Sequence, residues 1–322
     1  MNKDRFNLIL FLIPVAIFLA IMLIAKVGVL QPEKPEPPII RYPYPQPAPL
    51  PPAPAPPQQY SISALPIEWI KYGRVVSLMQ KWNQEAPEIT EFVEYGTTSK
   101  GTKCTYLRIG TPGKPKVLIT GCIHGNERLS CLATLWIMQK MLHDYGRDKD
   151  ITWLVKNRDV YWVPALSPDT YLRSRHVEGR DPNRDFPYPG RRAHTPTSPI
   201  KNIMNLVKKH KFKGVISGHT TGEIYLWPSI GPAQDKAAHR EIAGKMKAIS
   251  GYSASSISGR PSGYEIDWYY WKGAVAILTE FGSSRHGHNQ PTNQIEPHSS
   301  KNYKAYMLFI KDSPEVKLKP PS

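Results

Sequence analysis

From residue 61 to the end of the chain, short apolar runs alternate with segments of helical spacing, and this alternation restricts the architecture more than any other feature. Lys116–Ile123 (KVLITGCI), Asp159–Leu166 (DVYWVPAL), Gly214–Ser217 and Ala274–Phe281 (AVAILTEF) read as strands, the first and last of them buried. Leu129–Tyr145 sets Leu132, Leu135, Met138, Met141 and Leu142 at helical spacing. Asn202–His210 and Ala237–Ser250 are further helix candidates, and Ser299–Lys311 carries Tyr303, Tyr306, Met307 and Ile310 on one face. The pattern predicts an α/β fold: a mixed parallel/antiparallel central sheet with helices on both faces. In such folds, sites gather outside the carboxyl ends of the strands.

The first 60 residues have a different character. Residues 1–30 hold an apolar run, FNLILFLIPVAIFLAIMLIAKVGVL, whose single charge is Lys26. The uncharged part is about 20 residues, which at about 1.5 Å per residue spans a bilayer core, so residues 1–30 are expected to be an N-terminal membrane anchor. The competing reading is a cleaved signal peptide, but the run is long for one and no small-x-small site follows it. Lys3 and Arg5 precede the span, which favours a cytoplasmic N-terminus and an extracytoplasmic catalytic domain on a single-pass membrane protein. Residues 31–60 are dominated by proline, which removes backbone donors and fixes φ, so they read as an extended linker between the anchor and a domain at 61–322.

The formal net charge of +16 points to anionic partners at long range. The densest basic cluster is Lys208, Lys209, Lys211 and Lys213, without any nucleic-acid-binding motif around it, so no nucleic acid is expected as a partner. Three cysteines, Cys104, Cys122 and Cys131, do not make a disulfide framework, and Cys122 and Cys131 read as small buried hydrophobes.

His124 and Glu127 stand just past the strand in LITGCIHGNE, close enough to bend onto one ion, with Gly125 allowing a tight backbone path. Two histidines and a carboxylate leave a fourth zinc position open, the catalytic arrangement. His219, at another strand exit in VISGHTTGE, is the best candidate for the third ligand. Glu280 ends the apolar strand AVAILTEF; it is either a general base or a carboxylate paired with Arg285 or pointing into solvent.

In order and setting, His124, Glu127, His219 and Glu280 resemble the zinc carboxypeptidase family, over about Tyr95 to Phe309. GTTSKGTKCTYLRIG, SPDTYLRSRHVEGRDPNRDF, SGYEIDWYYWKG, TEFG and NQPTNQIEP are similar to successive motifs of that family, the third to its SG-x-x-x-DW element. The resemblance implies one zinc ion per chain, held by His124, Glu127 and His219, with Glu280 as general base and acid. It implies that Asn183 and Arg184 grip a substrate's terminal carboxylate and that Asp181 orients His124. It gives Arg175 the role of polarising the scissile carbonyl, with Arg173 as the alternative. The chain departs from the digestive branch at Gly125-Asn126, which points to a bacterial-type or amidohydrolase-like branch, and lacks the digestive branch's tyrosine before SG-x-x-x-DW, where Tyr252 and Tyr264 are the nearest substitutes. Ile266, where members selecting basic residues carry an aspartate, argues against a lysine or arginine preference. His286 and His288 form either a second metal site or a polar loop.

The leading function is a membrane-tethered zinc metallocarboxypeptidase with a monomeric catalytic domain, acting on a peptide or a peptidoglycan-type stem peptide. The alternatives are a zinc amidohydrolase or deacylase of the same fold and an inactive tethered binding protein. A reporter enzyme fused after Ser322 should be active only outside the cytoplasm, and the mature protein should retain residues 1–30. A shortened, freely soluble product on N-terminal sequencing would mean a cleaved signal peptide.

Overall fold

The computed structural model describes residues 57–190, 194–257 and 263–320. The expected anchor at 1–30, and the linker up to residue 56, lie outside the described residues. Among the described residues no helix is long and apolar enough to cross a membrane.

Eight strands form one sheet: β1 (Thr90–Thr97), β2 (Lys103–Gly110), β3 (Lys116–Gly121), β4 (Asp159–Val163), β5 (Gly214–Thr220), β6 (Ile224–Trp227), β7 (Ser253–Ser256) and β8 (Val275–Phe281). Their order is β1-β2-β4-β3-β5-β8-β6-β7. The central neighbours β4, β3, β5 and β8 run parallel, while β1, β2 and the β6–β8 contact are antiparallel, which is the mixed sheet expected. Parallel strands are buried on both faces, and the side chains divide between two cores with period two. Val117, Ile119, Ile216, Val275 and Ile277 enter one core; Leu118, Val215, Ala276 and Leu278 enter the other.

Helices cover both faces. The first core is closed by α1 (Tyr72–Glu85), α2 (Arg128–Asp144), α3 (Lys149–Asn157), α5 (Ala233–Ser250) and α7 (Ile295–Asp312). The second is closed by α4 (Ser198–His210) and α6 (Glu265–Trp271). Three helices begin about one turn earlier than their apolar spacing suggests. Each has proline at its start: Pro199 in the first turn of α4, Pro232 just before α5 and Pro297 in the first turn of α7. Proline is tolerated there because the first-turn N–H groups have no partner within the helix in any case. The strand predicted for 159–166 stops at Val163, whereas the one predicted to end at Ser217 continues to Thr220. All three cysteines are free and buried, so no disulfide forms.

Ile216, fully buried in the central strand β5, tests this core. Ile216→Ala should cost about 2–5 kcal/mol in denaturant unfolding, as large-to-small core changes do. Ile67→Ala, at a site 44 % exposed, should change stability by no more than about 0.5 kcal/mol.

A candidate metal centre at the strand ends

Three parallel strands deliver the chemistry to one edge of the sheet. β3 ends at Gly121, and the chain then carries His124 and Glu127 before α2 begins at Arg128. β5 carries His219 as its penultimate residue, inside the strand rather than beyond it. β8 carries Glu280, and the register pairs His219 directly with Glu280. Gly125 is required by close approach: a Cβ there would lie 2.1 Å from the Thr170 carbonyl oxygen.

His124, Glu127 and His219 bring one ligand atom each to within 4.8 Å of one another, and each residue is only 2 % exposed. Glu127 sits between the imidazoles, with Oε1 2.7 Å from His124 Nδ1 and Oε2 3.0 Å from His219 Nδ1. The Thr220 N–H also donates to Glu127 Oε2, at 3.1 Å. The far nitrogens are held as well. His124 Nε2 lies 2.9 Å from Asp181 Oδ1, and His219 Nε2 lies 2.6 Å from Glu265 Oε1. A carboxylate accepts, so each outer contact takes a ring proton on Nε2 and fixes the imidazole with Nδ1 facing inward, toward Glu127.

The electrostatics are those of a cation site. Burial opposes ionisation of Glu127, but the charge and hydrogen bonds of His219 and His124 outweigh it and hold this carboxyl well below the usual range. Burial likewise opposes a charge on His219, yet Glu127 and Glu265 keep its proton well above the ordinary histidine value. Asp181 is partly desolvated, but His124 and Arg175 hold it low. Four carboxylates therefore converge here (Glu127, Asp181, Glu265 and Glu280). Arg175 is the guanidinium among them: it donates to Glu127 Oε1 at 3.3 Å and to Asp181 Oδ2 at 3.0 Å. Two imidazole nitrogens and a carboxylate within tetrahedral reach, with excess negative charge around them, fit zinc.

Glu280 differs from the other three. Its Oε2 is buried and has no hydrogen-bond partner among the described residues. Desolvation raises its carboxyl to about 7, with His219 pulling the other way and Glu127 adding to the rise. Among the described residues it forms no ion pair with Arg285. A carboxyl held near neutrality is suited to accepting and returning a proton.

Asp181 caps a short 3₁₀ turn, Pro182–Arg184, by accepting from the Asn183 N–H at 2.9 Å. Asn183 is buried, and its Oδ1 accepts from the Glu265 N–H at 2.9 Å, so its amide nitrogen is turned away as a donor. Arg184 is half-buried rather than enclosed, its guanidinium 4.1 Å from the centre of the Tyr264 ring. Arg173 is exposed and donates to the Asp169 carbonyl, so Arg175 is the arginine at the cluster. Tyr252 lies in the core, hydrogen-bonded to His298, while Tyr264 stands beside Arg184. Ile266 is buried in the second core. His288 reaches the rim of the same centre, its Nδ1 3.8 Å from Glu127 Oε1; no second metal cluster exists among the described residues.

Glu265 was not anticipated. Its signal was a carboxylate inside EIDWYYW, an aromatic segment of which every residue but the last is buried.

A buried two-histidine, one-glutamate centre at the edge of a mixed sheet defines a zinc-peptidase class of site. The chain belongs to the zinc carboxypeptidase family, whose pattern it matches over residues 75–305. It is 24 % identical to carboxypeptidase A4 of Mus musculus over 279 residues, covering 70 % of this chain and 66 % of that protein. It is 24 % identical to metallocarboxypeptidase A of Arthroderma otae over 316 residues, covering 79 % and 74 %. The chain thus spans about two thirds of the length of the mouse relative. The fold is similar to that of carboxypeptidase A from Helicoverpa armigera, with a TM-score of 0.69 at 18 % identity over 80 % of this chain and 77 % of that one. It is similar to thrombin activatable fibrinolysis inhibitor to the same degree, 0.69 at 20 % identity over 77 % and 75 %.

His219→Ala should remove most of the one zinc per chain found by elemental analysis of the dialysed protein. Full retention of zinc in that variant would remove His219 from the ligand set.

Proposed function

We propose that this chain is a zinc metallocarboxypeptidase that hydrolyses the amide bond next to a free C-terminal carboxylate. The observation that carries the reading is Glu280: a desolvated carboxylate with an unpartnered oxygen, in register with His219 of the metal cluster. In this reading His124, Glu127 and His219 hold the zinc, which when bound supplies Lewis acidity and makes water a nucleophile near neutral pH. Glu280 takes a proton from the attacking water and returns it to the departing amine. Arg175 polarises the scissile carbonyl, exchanging its contacts with Glu127 and Asp181 for the substrate oxygen. Asn183 and Arg184 hold the terminal carboxylate, the first through its outward amide, the second through a guanidinium kept in place on Tyr264. Asp181 keeps His124 oriented.

The setting belongs to the same proposal. The apolar run in residues 1–30 supports a membrane anchor with the catalytic domain outside the cytoplasm, and the proline-dominated linker supports a domain held away from the bilayer. The net charge of +16 over the whole chain favours an anionic envelope polymer, and stem peptides of the cell wall are the proposed substrate.

The test is cleavage of paired substrates by the full-length chain, with products identified by mass. Free-acid peptides and stem peptides should be cut, and their C-terminally amidated counterparts should not. Arg184→Ala should lose most of that preference. Glu280→Gln should keep its zinc and lose about 10²–10⁴-fold in turnover. Equal cleavage of acid and amide would instead indicate an amidohydrolase, and activity on ordinary peptides alone would remove the cell wall from the account.

A further inference from the structure

We propose that Glu265 is a positioning residue for the metal: it fixes the ring of His219 as Asp181 fixes that of His124, so that both metal-facing histidines are backed by a carboxylate. Glu265 is fully buried. Its Oε1 takes two donors, His219 Nε2 at 2.6 Å and the Ser217 hydroxyl at 2.5 Å. Ser217 and His219 project from the same side of β5, two residues apart, so the strand's own period brings both donors to one oxygen. The serine anchors the carboxylate, and the carboxylate orients the imidazole.

A carboxylate at this depth needs positive charge nearby, or it destabilises the fold. Its other oxygen, Oε2, has no hydrogen-bond partner among the described residues. The positive partner in contact with it is the His219 ring, whose Nδ1 in turn faces Glu127 and the metal position. A hydrogen-bonded carboxylate makes the ring a stronger donor to a metal and holds its orientation. Glu265 therefore favours positive charge on the far side of the ring, and it holds Nδ1 in the orientation in which a dication would bind.

The same residue reaches the other half of the centre through its main chain. Its N–H donates to Asn183 Oδ1, which turns the Asn183 amide outward. The two functions separate cleanly. Glu265→Gln keeps the N–H, and so keeps Asn183 in place, while it removes the negative charge behind His219.

The inference takes from the family assignment only that the cluster holds zinc, and titration of the unaltered chain tests that alone. Zinc affinity of the full-length protein is measured by competition with a chromophoric chelator. Glu265→Gln should raise the Kd for zinc about 10–100-fold, the usual effect of losing such a partner. The visible spectrum of the cobalt(II)-loaded variant should shift, while KM for a free-acid peptide stays within about twofold. In a His219→Ala background, with no ring left to orient, the same change should add nothing. Should Glu265→Gln fail to yield folded protein, Glu265→Asp, which withdraws the carboxylate by one methylene, must show the same loss of affinity. An unchanged Kd and cobalt spectrum in a folded variant, or an equal loss with and without His219, would overturn the proposal.

Discussion

Burying like charges together is the constraint on which the rest of this structure depends. Glu127 and Glu265 are at most 2 % exposed, Asp181 is partly desolvated, and Glu280 keeps an oxygen with no partner among the described residues. Carboxylates so placed repel one another and lose their hydration, and a single guanidinium, Arg175, does not balance them. A divalent cation between the two imidazoles would offset most of the remainder. A metal bound there would therefore help to hold the strand ends together as well as serve the chemistry, because the groups it would neutralise come from the turn after β3, from β8, from the turn at Asp181 and from the start of α6.

The sheet makes that convergence possible. β3, β5 and β8 are parallel neighbours, so their carboxyl ends lie side by side at one edge. Residues more than 150 positions apart in the chain, such as His124 and Glu280, meet there. Two apolar cores, one on each face, keep the strands from shifting against one another, and a one-residue slip between β5 and β8 would move Glu280 out of register with His219. The acid–base group is thus aligned with the metal cluster by backbone pairing, which is stiffer than a loop.

The central strands were legible in the sequence because strands buried on both faces read as continuous apolar runs. The outer strands were not. β6 and β7 are four residues each, and β7 is SASS, without an apolar residue except Ala254. β2 was visible only through the likeness of GTTSKGTKCTYLRIG to a family motif, which reaches no further than the last two residues of β1. The metal cluster was legible because His124, Glu127 and His219 stand at strand exits, and Asp181 because the stretch DPNRDF carries it. Glu265 was missed because its local signal, a carboxylate in an aromatic segment, does not say what it touches; its meaning depends on Ser217 and His219, which lie on another element.

Anomalous scattering from crystals of the zinc-loaded protein, recorded on both sides of the zinc absorption edge, tests the central claim most directly. The account predicts one zinc peak, bounded by His124 Nδ1, His219 Nδ1 and the Glu127 carboxylate, with Asp181 and Glu265 still on the outer nitrogens of the two rings. A peak coordinated by other residues, or zinc-loaded crystals with no peak between these three side chains, would contradict it.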